Sequence, residues 1–261
     1  MRIVSFASGS TGNSSLISEG EANILIDAGI SMRRIVNCLA QCDLTPHDVS
    51  GVLISHEHSD HISGLSMLTK HHGLKLFAPE ILADTLCDIK PELEEYINII
   101  PIGEDFELDG IKIRAFHTPH DSVSSFGYRI SGEHSFAFAT DTGHISDEML
   151  SNLGGAEAVI IEANHDVEML KNGPYPYYLK KRILSERGHL SNTECGKLAF
   201  HLANSGTKHI ILGHLSRENN SPQKAFDAVS AALGAADVSL SVAPMSEMLE
   251  ISLGEDSKCL V

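Results

Sequence analysis

The sequence predicts an α/β protein of the α+β type whose elements form a four-layer αββα sandwich. Short β-type runs bounded by turn residues occur in both halves of the chain, and each half also carries helical segments of its own. Two sheets packed face to face, with the helices outside, bury the apolar faces of these elements. Because the 261 residues contain no linker and no low-complexity tract, we expect a single domain over residues 1–261.

The strands of the first half follow from β-type runs separated by turn residues, such as the small-residue loop at 8–13. Ser31 is a typical N-cap residue and predicts a helix that continues to about Cys42, and a second helix is expected at 63–72. The predicted strands are 2–6, 15–18, 23–26, 51–55, 75–77, 97–100, 111–117, 126–130 and 135–139.

The second half is also mixed, and its clearest element is an amphipathic helix at 192–205. In order, the remaining predicted elements are a helix at 146–152, a strand at 158–162, a polar helical region up to Arg187, a strand at 209–212, a helix at 222–233 and two closing strands.

The net charge of the chain is −16 with neutral histidines, which argues against a broad basic face for nucleic acid. Bound divalent ions would return positive charge at the place where they bind. A local basic run also exists, and it reads either as a solvated helix face or as a phosphate contact. Its members are Lys180, Lys181, Arg182 and Arg187.

The cysteines and the apolar segments predict the location of the protein. No segment reaches the roughly 18 consecutive apolar residues of a membrane span, and the N-terminal residues run into strand-like sequence without a signal-peptide pattern. The cysteines are odd in number, lack a CxxC pair and indicate reduced thiols. We therefore expect a cytoplasmic protein without membrane contact, and the oligomeric state stays open. The cysteines are Cys38, Cys42, Cys87, Cys195 and Cys259.

Residues 56–61, with the sequence His-Glu-His-Ser-Asp-His, follow an apolar run predicted as a strand. Imidazole and carboxylate groups are the ligands that Zn²⁺ and related divalent ions prefer. Alternate residues of an extended segment point the same way, so His56 and His58 can converge on one ion. Asp60 and His61 lie past the bend and can reach a second ion. The spacing favours a metal site over a solvated surface loop.

Further polar residues stand where other apolar runs end, as a site on rigid backbone open to solvent requires. The segments concerned are 116–121, 140–143, 161–166 and 210–220.

An HxHxDH motif, a lone histidine, a lone aspartate after an apolar strand and a late histidine resemble the ordered signature of metallo-β-lactamase-fold hydrolases. The resemblance spans residues 56–214 and implies two divalent ions with Asp141 as the bridging ligand. One ion would bind His56, His58 and His120, and the other would bind Asp60, His61 and His214. His117 is the alternative to His120, and Asp27 is expected to support the site or the local structure.

Segments along essentially the whole chain are similar to the YycJ/WalJ-type branch of this fold, including residues 8–14, 162–166 and 214–220. That resemblance implies a cytoplasmic 5′-to-3′ exonuclease acting on DNA. Residues 141–217 also resemble ribonuclease Z, but Ile161 stands where that family has a histidine, and no exosite arm for transfer RNA is evident.

The mechanism implied by the resemblance is phosphodiester hydrolysis by a hydroxide that bridges two ions, which are Zn²⁺ or Mn²⁺, with Fe possible. The expected catalytic residues are Asp60 and His189, although His189 could equally be a residue at the start of a helix. Candidate contacts to DNA or another phosphodiester are Ser216, Arg217, Asn164 and His165. Asn164 and His165, like Asn219 and Asn220, could instead satisfy loop backbone.

Three other functions compete with the exonuclease. The first is hydrolysis of a small molecule such as a cyclic phosphodiester, a lactone or a thioester, and the second is ribonuclease Z-like RNA processing. The third is a non-catalytic binding protein on the same fold. Loss of ligands would mark that third class, and every ligand position implied by the resemblance is filled here.

Overall fold

The computed structural model describes residues 1–254, and fourteen strands of this part of the chain form two seven-stranded sheets. The strands are β1 (Arg2–Ala7), β2 (Ser14–Glu19), β3 (Ala22–Ile26), β4 (Gly51–Leu53), β5 (Leu76–Ala78), β6 (Ile97–Ile99), β7 (Asp105–Leu108), β8 (Ile111–His117), β9 (Phe126–Ser131), β10 (Ser135–Ala139), β11 (Ala158–Glu162), β12 (His209–Gly213), β13 (Ser239–Val242) and β14 (Leu249–Ser252). The first sheet has the order β14-β1-β2-β3-β4-β5-β6, and the second has the order β13-β12-β11-β10-β9-β8-β7.

The α-helices are α1 (Met32–Gln41), α2 (Ser59–Ile62), α3 (Leu65–His72), α4 (Glu80–Ile89), α5 (Asp147–Leu153), α6 (Val167–Asn172), α7 (Tyr177–Ile183), α8 (Asn192–Asn204) and α9 (Pro222–Leu233). Short 3₁₀ helices cover Pro46–Asp48 and Pro91–Tyr96. The predicted cap at Ser31 is confirmed, since its side chain accepts a hydrogen bond from the backbone N–H of Arg34. None of the helices within residues 1–254 combines the length and apolar character needed to cross a bilayer.

The predicted αββα layering is confirmed, and β11 shows how it arises. Successive side chains of a strand point to opposite faces. Ile160 belongs to the core that joins the two sheets, whereas Val159 and Ile161 belong to a second core under the outer helices. That second core contains residues of α5, α8 and α9, and the outer helices of the first sheet are α1, α3 and α4. Strands buried on both faces read as the continuous apolar runs seen in the sequence.

The division between the sheets differs from the two halves of the sequence. β7 to β10 belong to the second sheet together with β11 to β13, and β14 returns to pair with β1 of the first sheet. The sequence analysis also left α4 and β7 unassigned. Pro79 precedes α4 without any side-chain cap, and β7 is an edge strand with two acidic residues, so both lack the usual signals. Cys259 lies outside the described residues, and the other four cysteines are free thiols.

Candidate metal centre

The predicted ligand residues come from both sheets and meet at one edge of the sandwich. In the first sheet, β4 leads through a short loop into residues 56–61, and α2 begins within that segment. In the second sheet, residues that follow β8, β10 and β12 include His120, Asp141 and His214. Strand ends place side chains on rigid backbone while leaving one side open, which suits a catalytic metal site.

One group of possible ligands consists of three histidines. His56, His58 and His120 each offer a ring nitrogen, and these atoms lie within 4.8 Å of one another. The Nε2 atom of His120 is 3.4 Å from Nδ1 of His58. The Nε2 atom of His56 is buried and has no hydrogen-bond partner among residues 1–254. Buried polar atoms normally have a hydrogen-bond partner, so this nitrogen is available to bind a ligand.

A second group consists of Asp60, His61 and His214, whose candidate ligand atoms also lie within 4.8 Å of one another. The Oδ2 atom of Asp60 is 3.6 Å from Nε2 of His61 and 3.5 Å from Nε2 of His214. Within the described part of the chain, the buried Nε2 atom of His214 has no hydrogen-bond partner. Like the first group, this one therefore combines closely spaced ligand atoms with a buried ring nitrogen that has no partner among residues 1–254.

Asp141 lies between the two groups. Its Oδ2 atom is 3.3 Å from Nε2 of His61, and its Oδ1 atom is 3.8 Å from Nε2 of His120. Oδ2 is buried without a hydrogen-bond partner in residues 1–254. A carboxylate that reaches one histidine of each group can bridge two cations, as the sequence resemblance implies.

The surroundings of His117 and His120 favour His120 as the ligand. The His120 side chain is buried at the site, whereas the His117 side chain is 53 % exposed and lies 3.5 Å from Glu148. His117 is absent from every group of possible metal ligands found within residues 1–254. Its ring packs beside Phe126, at a centroid distance of 5.1 Å.

Asp27 orients His61 directly and His56 through Ser55. The Asp27 carboxylate accepts hydrogen bonds from the backbone N–H of Ser55 at 2.8 Å and from the Ser55 hydroxyl at 2.8 Å. It also lies 2.7 Å from Nδ1 of His61, which therefore carries a proton. Since the Ser55 hydroxyl donates to Asp27, it accepts from Nδ1 of His56 at 3.0 Å. Both rings thus present the lone pair of Nε2 to the site, as metal-binding histidines require.

Glu162 has a comparable role in the second sheet, and the sequence analysis did not assign it. Its Oε1 atom accepts from Nδ1 of His189 at 2.8 Å and from Nδ1 of His214 at 2.9 Å. Its Oε2 atom accepts from the backbone N–H groups of Thr142 and Leu190. Four donors satisfy one fully buried carboxylate, so Glu162 holds His214 and His189 in fixed orientations.

The electrostatic environment differs between the two groups of histidines. Burial opposes charge on His61 and His214, but the neighbouring carboxylates outweigh it and raise the pKa of both rings. Burial and the neighbouring imidazoles lower the pKa of His56, which leaves that ring neutral and able to ligate. Burial lowers the pKa of His120 as well. Burial opposes charge on His189, but the Glu162 carboxylate outweighs it and raises the pKa of His189. Burial would raise the pKa of Asp60, yet the nearby His214 and His61 lower it, so the carboxylate is ionised.

Three residues of the site have left-handed backbone, with φ values of 60° for Asp27 and 55° for both Asp141 and His214. Aspartate and histidine enter this region more readily than most side chains, but each still carries a strain of roughly 1 kcal/mol or more. Asp27 and His214 directly follow β3 and β12, and Asp141 lies two residues past the end of β10, so each stands at the turn that leaves a strand. The strain is maintained by the surrounding hydrogen bonds.

Gly29 shows how closely the segments around the site pack. A Cβ atom at this position would lie 1.6 Å from the carbonyl oxygen of Asp60. The backbone N–H of Gly29 donates to the carbonyl of Asn13, whose own N–H donates to that of Asp60. Asn13 also brings its side-chain nitrogen within 3.0 Å of Nε2 of His61, a contact that the sequence analysis missed. Only glycine permits this approach of three segments.

A cavity of about 230 Å³ opens beside these groups. Among the four predicted substrate contacts, Ser216 and Asn164 line it, and the predicted catalytic residue His189 lines it as well. The remaining two do not, because Arg217 is exposed on the loop and His165 is buried away from it. Arg182, from the basic run noted in the sequence, also lines it. The other lining residues that the sequence analysis did not predict are Ser10, Tyr175, Leu179 and Ile183.

The loop asparagines and His165 have structural surroundings. Asn220 donates to the backbone carbonyls of Ala163 and Asn164, and Asn164 donates to the carbonyl of His214. These bonds stabilise the loops that carry the site. Neither ring nitrogen of the buried His165 has a hydrogen-bond partner in the described residues, and burial lowers the pKa of His165 to about 4.

The residues present fit divalent metal ions. The donors are imidazole nitrogens and carboxylate oxygens without thiolate, a set that suits borderline and harder divalent ions. Three buried atoms, one in each part of the site, have no partner within residues 1–254 and belong to the candidate ligands. They are Nε2 of His56, Oδ2 of Asp141 and Nε2 of His214.

Known proteins are similar to this chain in sequence and in fold. Exodeoxyribonuclease WalJ of Streptococcus pneumoniae is 38% identical over 245 residues, which cover 90% of this chain and 89% of the relative. Exodeoxyribonuclease YycJ of Bacillus anthracis is 37% identical over 87% of each chain. The structure is also similar to that of Zn²⁺-bound PqqB from Methylobacterium extorquens, with a TM-score of 0.74, 17% identity and coverage of 97% of this chain and 100% of that one.

The sequence matches the beta-lactamase superfamily domain over residues 22–215, and the predicted family resemblance is confirmed. The chain belongs to the metallo-β-lactamase superfamily, in the family of the exodeoxyribonucleases WalJ and YycJ.

Proposed function

We propose that this protein is a metal-dependent nuclease that degrades DNA from the 5′ end, as a 5′-to-3′ exonuclease. The observation that carries the proposal is its similarity, over nine-tenths of the chain, to a relative named exodeoxyribonuclease. Every ligand position implied by the family resemblance is filled, and four of these residues line one cavity, namely His58, Asp60, Asp141 and His214. The cytoplasmic location expected from the cysteine composition is part of the same proposal.

The proposed metal ligands form two sets. His56, His58 and His120 would hold one ion, and Asp60, His61 and His214 would hold the other. Asp141 would bridge them. Two bound divalent ions, Zn²⁺ or Mn²⁺, supply Lewis acidity that lowers the pKa of a water molecule and offsets the negative charge of a phosphodiester.

The protein's own groups supply the rest of the chemistry. The ionised Asp60 carboxylate would accept a hydrogen bond from the attacking water or hydroxide and so orient it. His189 is fixed by Glu162 through Nδ1, and its raised pKa favours the protonated ring. Its Nε2–H can therefore donate to a phosphate oxygen or to the leaving deoxyribose oxygen. The Ser216 hydroxyl and the Asn164 side chain line the same cavity and can contact the substrate.

The test is digestion of DNA labelled separately at the 5′ and 3′ ends, with RNA, bis-aryl phosphate and lactone substrates in parallel. We expect mononucleotides to appear first from the 5′-labelled end. Asp60→Ala should lower the rate at least 100-fold, and the matched control Asp237→Ala, at an exposed loop position, should retain the wild-type rate.

Three outcomes would contradict the proposal in whole or in part. Activity confined to the small esters would make the protein a small-molecule hydrolase, and preferential cleavage of RNA would make it a ribonuclease. Early release from the 3′-labelled end alone would reverse the proposed polarity.

A further inference from the structure

We propose that Arg187 is a positioning residue of the candidate metal centre. Its guanidinium holds the loop of the proposed ligand His120 in a fixed relation to His189, the proposed donor to phosphate. This inference rests on the proposed nuclease function and adds to it a residue that acts through its neighbours, since Arg187 does not line the cavity of the centre.

Arg187 is exposed as a whole, but two of its N–H groups are bonded to the main chain of a distant segment. The Nε–H group donates to the carbonyl of His120 at 2.8 Å, and the Nη2–H group donates to the carbonyl of Ser122 at 3.1 Å. Both hydrogen bonds are partly buried, and they join residues 67 and 65 positions apart in the chain. The donors of a guanidinium lie in a rigid planar fork, so the two bonds fix the orientation of the loop as well as its distance.

The ring of His120 is held by the residue that follows Arg187. Its Nδ1 atom lies 3.1 Å from the carbonyl oxygen of Gly188, and because a carbonyl only accepts, Nδ1 carries the proton. Nε2 therefore presents its lone pair to the group that His120 forms with His56 and His58. Arg187 fixes the main chain of the proposed ligand and Gly188 fixes its side chain, so two adjacent residues determine both its place and its orientation.

The segments joined by Arg187 are also closely packed against the segment that follows Asp141. The backbone N–H of Gly143 donates to the carbonyl of Pro119 at 2.7 Å. A Cβ atom at Gly143 would lie 2.4 Å from the carbonyl oxygen of Glu186 and 2.5 Å from the backbone nitrogen of Gly188. Three segments that carry or adjoin proposed functional residues therefore meet without spare volume, and their relative positions are tightly constrained.

The segment of Arg187 also carries His189. The backbone N–H of His189 donates to the carbonyl of Ile183 at 3.0 Å, and Glu162 accepts from Nδ1 of its ring. Residues 187–189 therefore hold His120 through their first two members and present His189 as the third. The ring centroids of His120 and His189 are 5.0 Å apart. Reaction rates depend steeply on such separations, because a misplacement of about 1 Å can cost about 100-fold.

These contacts distinguish Arg187 from the rest of the basic run noted in the sequence. Helix α7 ends at Ile183, so Arg187 lies after the helix and is not part of a solvated helix face. Arg182 of the same run does line the cavity, and its guanidinium forms a two-point ion pair with Asp121. That pair is a second link to the loop of His120, but an ion pair at an exposed arginine is screened by solvent and contributes little. The hydrogen bonds of Arg187 to the main chain are therefore the stronger constraint on the loop.

A competition titration of Zn²⁺ against a chromophoric chelator tests the inference without relying on activity. Arg187→Ala should weaken the binding of one of the two ions about 10- to 100-fold, because His120 is a proposed ligand of one ion only, and should leave the other ion within about threefold of wild type. Arg187→Lys should recover little of this loss, since an ammonium group lacks the fork that spans two carbonyls. The lysine variant also gives the comparison if the alanine variant does not fold.

The matched control is Arg129→Ala, which removes the same kind of contact elsewhere. The guanidinium of Arg129 donates to the main-chain carbonyls of Asn152, Gly154 and Gly155, and Arg129 does not line the cavity. Its loss should lower the Tm of the metal-free protein, as the loss of Arg187 should, but both Zn²⁺ affinities should stay at the wild-type value.

Kinetics at saturating Zn²⁺ separate positioning from contact with the substrate. The kcat of Arg187→Ala should fall at least tenfold on both DNA and bis-aryl phosphate, and KM for DNA should stay within about threefold of wild type. A residue that contacted a phosphate of DNA would instead raise KM for DNA and leave hydrolysis of the small ester unchanged.

The two proposals fail in different ways. If wild type degrades DNA and Arg187→Ala keeps both Zn²⁺ affinities, the positioning role is wrong and the nuclease function stands. If Arg129→Ala weakens Zn²⁺ binding as much as Arg187→Ala does, the effect is general destabilisation and the inference is overturned. If wild type releases no nucleotide from DNA, the nuclease function itself is wrong, and the Zn²⁺ titration still decides the role of Arg187.

Discussion

Replacing Asp27 with asparagine is expected to weaken metal binding without disturbing the fold. In the wild-type protein, Asp27 accepts from Nδ1 of His61 at 2.7 Å, which leaves Nε2 of that ring as a lone pair directed into the site. The introduced amide has to place its single oxygen either toward Ser55, which donates twice, or toward His61. If its NH₂ group faces His61, the ring proton moves to Nε2, the atom that lies 3.3 Å from Asp141.

The expected size of the effect follows from that change. Loss of a carboxylate that orients a ligating histidine weakens metal affinity about 10- to 100-fold, which is about 1.4–2.8 kcal/mol. Asparagine tolerates left-handed backbone, so the φ value of 60° at this position adds little further cost. The loss should therefore appear in metal affinity rather than as a failure to fold.

The measurement is a competition titration of Zn²⁺ between the protein and a chromophoric chelator. The matched control is Asp109→Asn, which makes the same chemical change at an exposed left-handed residue with a φ value of 48°. We expect wild-type affinity for the control and weaker binding for Asp27→Asn. Equal affinities within about threefold for all three proteins would refute the assigned role of Asp27.

Further predictions concern metal content, packing and pH. Chelation should abolish nuclease activity and lower Tm, and reloading with Zn²⁺ or Mn²⁺ should restore both with about two ions per chain; full activity of the stripped protein would contradict the proposed centre. Gly29→Ala should cost more than about 3 kcal/mol in urea unfolding, because its Cβ would lie 1.6 Å from the Asp60 carbonyl oxygen. The control Gly20→Ala, with open space and φ of 60°, should cost only about 1 kcal/mol. Burial lowers the pKa of His165 to about 4. The neutral ring therefore makes its full contribution to the free energy of unfolding above pH 6.5, and this contribution is lost as pH falls toward 4. The free energy of unfolding of His165→Leu, relative to that of wild type, should therefore rise by about 2 kcal/mol when the pH is lowered from 8 to 5. If the difference between the two proteins is the same at both pH values, His165 is hydrated.

The ligand residues were predictable because each one stands next to an apolar run. His56, Asp141 and His214 follow strands whose apolar character is visible in the sequence, and parallel neighbours end at one edge of a sheet. The family resemblance supplied their pairing into two sets. The structure brings these residues together, and their role as ligands remains a prediction.

The partners of the ligands were not predictable from local sequence. Glu162 ends a strand as the ligands do, which is the signal that could have identified it, but its two histidine partners lie 27 and 52 residues further along the chain. Arg182 was noted only as part of a basic run, since its contact with Asp121 spans 61 residues. Such contacts depend on tertiary packing, about which charge and periodicity say nothing.

Each proposed ion would draw ligands from both sheets, because His56, His58, Asp60 and His61 follow β4 whereas His120 and His214 follow β8 and β12. The ions would therefore act as cross-links between two layers that otherwise meet through apolar side chains and contacts such as that of Tyr128 with the Ile54 carbonyl. Metal affinity in this protein then reports on the spacing of the two sheets. Substitutions deep in the shared core, far from any ligand, would therefore be detected first as a change in the number of metal ions bound.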